Sequence, residues 1–110
     1  MSDLLLHIQR AVERAAECPA EHAESIPVLE VFRGQTAWEG VVEAFDFTRH
    51  PKAKRAYGWA YHDGKERRYV AVLEIPPVDS ANASVRAAIA QGRRSEWNQR
   101  PKICRRLWIA

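Results

Sequence analysis

The sequence predicts an α+β domain of two layers, a four-stranded antiparallel sheet with N- and C-terminal helices in the order α-β-β-β-β-α, plus an extra C-terminal tail. Three observations carry this. Residues 3–17 and 80–91 show apolar residues at helical spacing. The stretch between them is rich in β-branched and aromatic residues. Within it, Asp63-Gly64 separates two alternating runs, a strong short-range hairpin signal because both residues tolerate the positive φ of a tight turn.

The first helix has Ser2 as N-cap and Asp3 at the positive end of the macrodipole. Leu5, Ile8, Val12 and Ala15 form its apolar stripe, and Pro19 ends it, since the residue before proline is pushed out of helical conformation. Residues 20–25 read as a connector. Residues 26–33 form the first strand, with Pro27 near its start marking an edge. A turn over residues 34–37 leads to a returning strand over 38–47, where Gly40 suggests a bulge. Val41, Glu43, Phe45 and Phe47 share one face of that strand, and Trp38, Val42 and Ala44 the other.

With Asp63-Gly64 as the loop, the second hairpin pairs His62 with Lys65, Tyr61 with Glu66, Trp59 with Arg68 and Tyr57 with Val70. One side then carries Tyr57, Trp59, Tyr61, Arg68, Val70 and Val72, aromatic and partly basic. The other carries Ala56, Gly58, Ala60, Tyr69, Ala71, Leu73 and Ile75, small and aliphatic. Pro76-Pro77 stops the last strand by offering no N–H donor. Asp79 or Ser80 caps the second helix, which presents Val85, Ala88 and Ile89 and stops at Gly92.

The domain organisation is therefore residues 1–92 as one α+β unit and 93–110 as a basic, Trp-containing tail. The tail holds Arg93, Arg94, Arg100, Lys102, Arg105 and Arg106 against Glu96 alone, a net +5; with a total of +3, the other 92 residues sum to −2. Bulk charge thus gives the folded body no nucleic-acid-binding character of its own. Hydrophobic content of 46% and charged content of 28% are those of a globular protein, and no apolar run approaches the roughly 20 residues of a membrane span. The N-terminus lacks the basic and apolar regions of a secretory signal, so a cytoplasmic location is expected, with Cys18 and Cys104 as reduced thiols.

Residues 30–43, 50–57 and 72–79 together resemble a small uncharacterised proteobacterial protein group of unknown function, found also on mobile elements, integron gene cassettes among them. The resemblance covers about residues 26–91 and implies a bacterial cytoplasmic protein, with no activity, cofactor or site residue to carry over.

Candidate sites follow from the surface chemistry. Tyr57, Trp59 and Tyr61 with Arg68 across from them are suited to stacking unpaired bases or a flat cation, if the small aliphatic face is the one under the helices. The alternative is that the aromatic face is itself the core. Lys52, Lys54 and Arg55, in a loop that also holds Arg49 and His50, add the basic component of a phosphate footprint. Trp97 and the terminal Leu107-Trp108-Ile109 are candidate assembly residues, because a solvated tail rarely ends in such a run.

Nothing supports catalysis or metal binding. There is no glycine-rich phosphate loop or nucleophile elbow; Glu43, Asp46, His50, His62 and Asp63 are available acids and bases that spacing does not bring together. Cys18-x-x-x-His22 is half a zinc site without a second pair. The expected function is a non-enzymatic interaction or self-assembly module, a homo-oligomer with no cofactor and no membrane partner. Salt-dependent nucleic-acid binding, or small-ligand binding on the aromatic face, is the alternative.

Overall fold

In the computed structural model, residues 3–98 and 107–109 are described, with side chains described through residue 90 apart from that of Asp63. Helix α1 (Asp3–Ala16) is followed by strands β1 (Ala20–Phe32), β2 (Gln35–Phe47), β3 (Arg55–Asp63) and β4 (Glu66–Leu73), helix α2 (Ala81–Asn98) and a short strand β5 (Leu107–Ile109). The sheet order is β1-β2-β3-β4-β5, every neighbouring pair antiparallel. The α+β class, the four consecutive antiparallel strands and the helix at each end agree with the sequence reading.

The helices, however, take opposite faces of the sheet. On one face, Ile8 and Val12 of α1 pack against Phe45, Ala56, Ala71 and Leu73. On the other, Val78, Ala81 and Val85 pack against Val42, Tyr57, Trp59, Val70 and Val72. The expectation of two layers with both helices on one face is corrected to a sheet lying between them. Both faces of β3 and β4 are apolar, the aromatic one as much as the aliphatic one, so each needs its own cover. Gly58 sets the approach of α1: a Cβ there would lie 2.8 Å from Ile8 Cγ2 and 3.0 Å from Val12 Cγ2.

α1 ends in a left-handed residue, Glu17 (φ 54°), and the Cys18 N–H donates to the Glu13 carbonyl at 3.3 Å, the six-to-one bond of a Schellman cap. The Glu13 carboxylate also accepts from the Ala20 N–H at 2.9 Å, joining the helix end to β1. A non-glycine residue in this conformation costs about 1–2 kcal/mol. Glu17→Gly is therefore expected to raise stability by about 1 kcal/mol, read as a higher urea midpoint with an unchanged slope. An unchanged or lower midpoint counts against this cap.

β1 begins six residues before the predicted strand. His22 pairs with Phe45 but Glu24 with Ala44, so Ala23 is an extra residue, and this bulge breaks the alternation that would have revealed a strand. Its effect is that His22 and Ser25, three apart, face the same side of the sheet. A second irregularity leaves Ala37 extra on β2. Gly40 is no bulge; it pairs regularly with Val28, and the Trp38 indole lies over it, 2.8 Å from where a Cβ would be. The first turn is only Arg33-Gly34, both at positive φ (54° and 76°), as a type I′ turn requires.

The second hairpin turns at Gly64-Lys65, with Asp63 paired to Glu66, Tyr61 to Arg68, Trp59 to Val70 and Tyr57 to Val72. Positive φ falls on Gly64, the first central residue, which is the type II′ arrangement and not the type I′ turn that Asp-Gly suggests. The register moves by two residues, so every side chain keeps its predicted face.

Ser80 caps α2 as expected, its Oγ accepting from the Ala83 N–H at 3.1 Å. The helix continues through Gly92 to Asn98, so the first residues of the predicted tail are helical. β5 then pairs Leu107, Trp108 and Ile109 with Val72, Ala71 and Val70.

Candidate functional site

β1 and β2 pair along almost their whole length, but β2 and β3 pair only from Glu43–Asp46 against Gly58–Arg55. Beyond Glu43 and Gly58 the two hairpins part, and residues 26–42 form an arm flanking α2 on one face only. There Ile26, Val28 and Trp38 join the α2 core, Asn82 Nδ2 donates to the Leu29 carbonyl at 3.3 Å, and Arg86 Nε lies 3.3 Å from Glu30 Oε1. Trp38 meets Trp59 edge-on at 5.6 Å across the parting hairpins.

The other face of the arm carries Pro27, Leu29, Val31, Thr36, Glu39 and Val41 by register, and α1 lies instead against β3 and β4. Leu29, Val31 and Val41 are 53–57% exposed. Leu4, at the adjoining start of α1, and Phe32, at the hairpin tip, are exposed as well. Among the described residues these five are the exposed large hydrophobic side chains; Leu29, Val31 and Val41 share one face of the arm, and Leu4 lines a cleft with Val41. Sequence reasoning missed this surface, because its residues read as an ordinary amphipathic strand and only the limited reach of α1 uncovers them.

At the point where the hairpins part, a cleft of about 410 Å³ opens beside α1, lined by Leu4, Leu5, Ile8, Val41 and Ala60 with Ser25 and Glu43. Ser25 Oγ donates to the Glu43 carboxylate, with Oε1 at 2.5 Å and Oε2 at 2.8 Å. His22 Nε2 lies 3.3 Å from Glu43 Oε2 without hydrogen-bond alignment, and its ring packs edge-on against Phe45. Of the acids and bases noted in the sequence, Glu43 thus gains partners, both brought to it by the bulge at Ala23.

The sequence-predicted binding residues are dispersed. Tyr57 and Trp59 are 3% and 4% exposed beneath α2, so stacking of a base or a cation on them is excluded by packing. Tyr57 donates its hydroxyl to Glu74, and burial together with that bond raises the phenol pKa well above its usual value. Tyr61 is partly buried at the edge of the same core. Arg68, paired across from Tyr61, is held 3.1 Å from Glu66. Arg55 is held by Asp46 at 2.8 Å and Glu24 at 3.6 Å, so its charge is already met within the fold. Lys52 and Lys54 are exposed on the β2–β3 loop. In that loop His50 Nδ1 accepts from the N–H groups of Lys52 and Ala53, which makes the imidazole a turn-stabilising acceptor.

Of the candidate assembly residues, Trp97 lies in α2, and the backbones of Leu107, Trp108 and Ile109 lie along β4; their side chains are outside the described residues. Cys104 is also outside them, while Cys18 is a free thiol. Among the described residues no three His, Cys, Asp or Glu side chains converge as a metal site, and no helix is long and apolar enough to cross a membrane. Compared with known proteins, the chain matches no family model, no curated protein and no solved structure.

Proposed function

We propose that this chain is a non-enzymatic interaction module that self-associates through the uncovered face of its β1–β2 arm. The observation that carries the reading is the gathering of Leu29, Val31, Val41 and Leu4 in one exposed region, since contiguous apolar surface on a small domain marks an interaction site. The occupant is a second copy. Past Glu43, this face of the arm has Glu39 as its one charged residue, which suits an identical apolar face and offers a polyanion nothing.

Pairing is face to face. The free edge of β1 carries Pro27 and the bulge at Ala23, two features that hinder strand addition at an edge. Two such faces stacked at about 10 Å give the closed, two-fold arrangement of an isologous dimer. The tail is a poorer route, because its terminal strand lies along β4 within the same chain, at the edge of the sheet opposite to β1.

Leu29→Lys with Val31→Lys places two positive charges on each copy at side chains that are exposed in the monomer. Surface changes of this kind leave monomer stability within about 0.5 kcal/mol. In sedimentation velocity the unaltered chain is expected to run as a dimer at tens of micromolar, and the double variant as a folded monomer. A monomeric unaltered chain, or a double variant that remains dimeric, overturns the proposal.

A further inference from the structure

Among the described residues, clefts open beside α1, beneath α2 and at the arm tip, and they differ in what they offer a ligand. The one between Trp38, Trp59, Tyr61, Val85, Ala88 and Ile89 is walled by side chains of the α2 core and presents no charge. The one at the arm tip contains Glu30 and Arg86, which already face each other. The cleft beside α1 is different, because a carboxylate and a hydroxyl stand together within apolar walls.

Glu43 is 12% exposed at its side chain, and the hydrogen bond from Ser25 holds the carboxylate at the edge of the cleft. A carboxylate offers about four acceptor positions. Ser25 shares its single proton between Oε1 and Oε2, and His22 is misaligned and absent from the cleft lining, so these two neighbours do not fill all of those positions. Because Ser25 Oγ spends its proton on Glu43, its lone pairs are left as acceptors. The polar end of the cleft is therefore all acceptor and negatively charged. The walls are aliphatic: Leu4, Leu5 and Ile8 from α1, Val41 from the arm and Ala60 from β3. A volume of about 410 Å³ lies within the range of sites for small ligands, roughly 300–1,000 Å³.

From this we infer that the cleft binds a small primary amine with a short apolar body. Its ammonium donates to the Glu43 carboxylate and Ser25 Oγ, and its body lies against Leu5, Ile8, Val41 and Ala60. A primary ammonium brings three donors and one positive charge, which complements an acceptor-only group. An anion is repelled by Glu43, and a neutral alcohol lacks the charge. The glycine at position 58 belongs to the same design: it lets α1 sit close enough for Ile8 to form a wall beside Glu43, whose backbone partner it is.

The test titrates n-butylamine, 1-butanol and butyrate, each at neutral pH, into the ¹⁵N-labelled full chain and into the Leu29→Lys/Val31→Lys variant. Using both separates the cleft from any assembly through the arm. The amine is expected to give saturable amide shifts at Ser25, Glu43 and Ala60 in the monomeric variant, with at least tenfold higher affinity than the alcohol and none for butyrate, and weaker binding in the unaltered chain, whose dimer shares Leu4 and Val41 with the cleft. Glu43→Gln, which keeps the size of the side chain, is expected to abolish the preference for the amine while leaving the alcohol unchanged. Ser25→Ala is a second variant, expected to weaken the amine several-fold with the fold retained. Equal binding of amine and alcohol overturns the inference. So do shifts centred on Glu24 and Asp46, a Glu43→Gln protein that still prefers the amine, or no saturable shift.

Discussion

Trp59→Ala is expected to remove about 3–5 kcal/mol of stability, the usual cost of deleting a buried tryptophan side chain. A domain of this size has about 5–15 kcal/mol in total, so the variant should be partly unfolded at 25 °C or melt at a sharply lower urea concentration. The loss has two sources. The indole is 4% exposed among Val70, Val85 and the other residues under α2, and it makes the edge-on contact with Trp38 that spans the parting hairpins. Trp59→Phe keeps most of the buried area and should cost far less. The same experiment separates the packed reading of this face from a stacking one. A stacking tryptophan would be dispensable for folding, so a Trp59→Ala protein with an unchanged urea midpoint contradicts the packing described.

Gly58→Val should destabilise by about 1–3 kcal/mol through overpacking, on the opposite face of the same strand. Any Cβ at this position falls inside contact distance of Ile8 and Val12, and Val12 is fully buried with no room to retreat. Either α1 lifts from the sheet or the strand bows. The diagnostic is coupling: Ile8→Ala removes the Cγ2 atom that clashes, so in the Gly58→Val background it should cost much less than it does alone. Neighbouring residues that share a contact depart from additivity by about 0.5–3 kcal/mol. Strict additivity in the urea midpoints would show that α1 does not rest on Gly58.

The local grammar of the chain was largely readable, and the places where it misled have physical causes. Parity survived a wrong turn: taking Asp63-Gly64 as the loop shifts the register by two residues, and an even shift leaves Tyr57, Trp59 and Tyr61 on the correct face. The aliphatic face is helix-covered as expected, by α1, but the aromatic face is not left open, because α2 covers it. Arg68 and Glu66 sit near the turn, while Tyr57 and Trp59 lie deep beneath α2. One face of a long hairpin can be core at its base and solvent-exposed at its tip, and alternation alone does not record where that change occurs.

The clustered groups were harder to foresee. Ser25 and His22 meet Glu43 only through the strand pairing and the extra residue at Ala23, a feature with no glycine or proline to announce it. The apolar arm was illegible for a related reason: Leu29, Val31 and Val41 follow a pattern that normally means burial, and how far α1 extends is a tertiary fact. Arg55, in contrast, read as a free cation because Asp46 and Glu24 come to it across two strands.

Assembly through the arm can be read from isotope-filtered methyl NOEs on a dimer mixed from ¹³C-labelled and unlabelled copies. Intermolecular NOEs are expected at the methyls of Leu29, Val31 and Val41, with the neighbouring Leu4 joining them. A dimer whose intermolecular NOEs arise elsewhere, at Trp108 and its neighbours for instance, or a sample with no intermolecular NOE at these methyls, would contradict it.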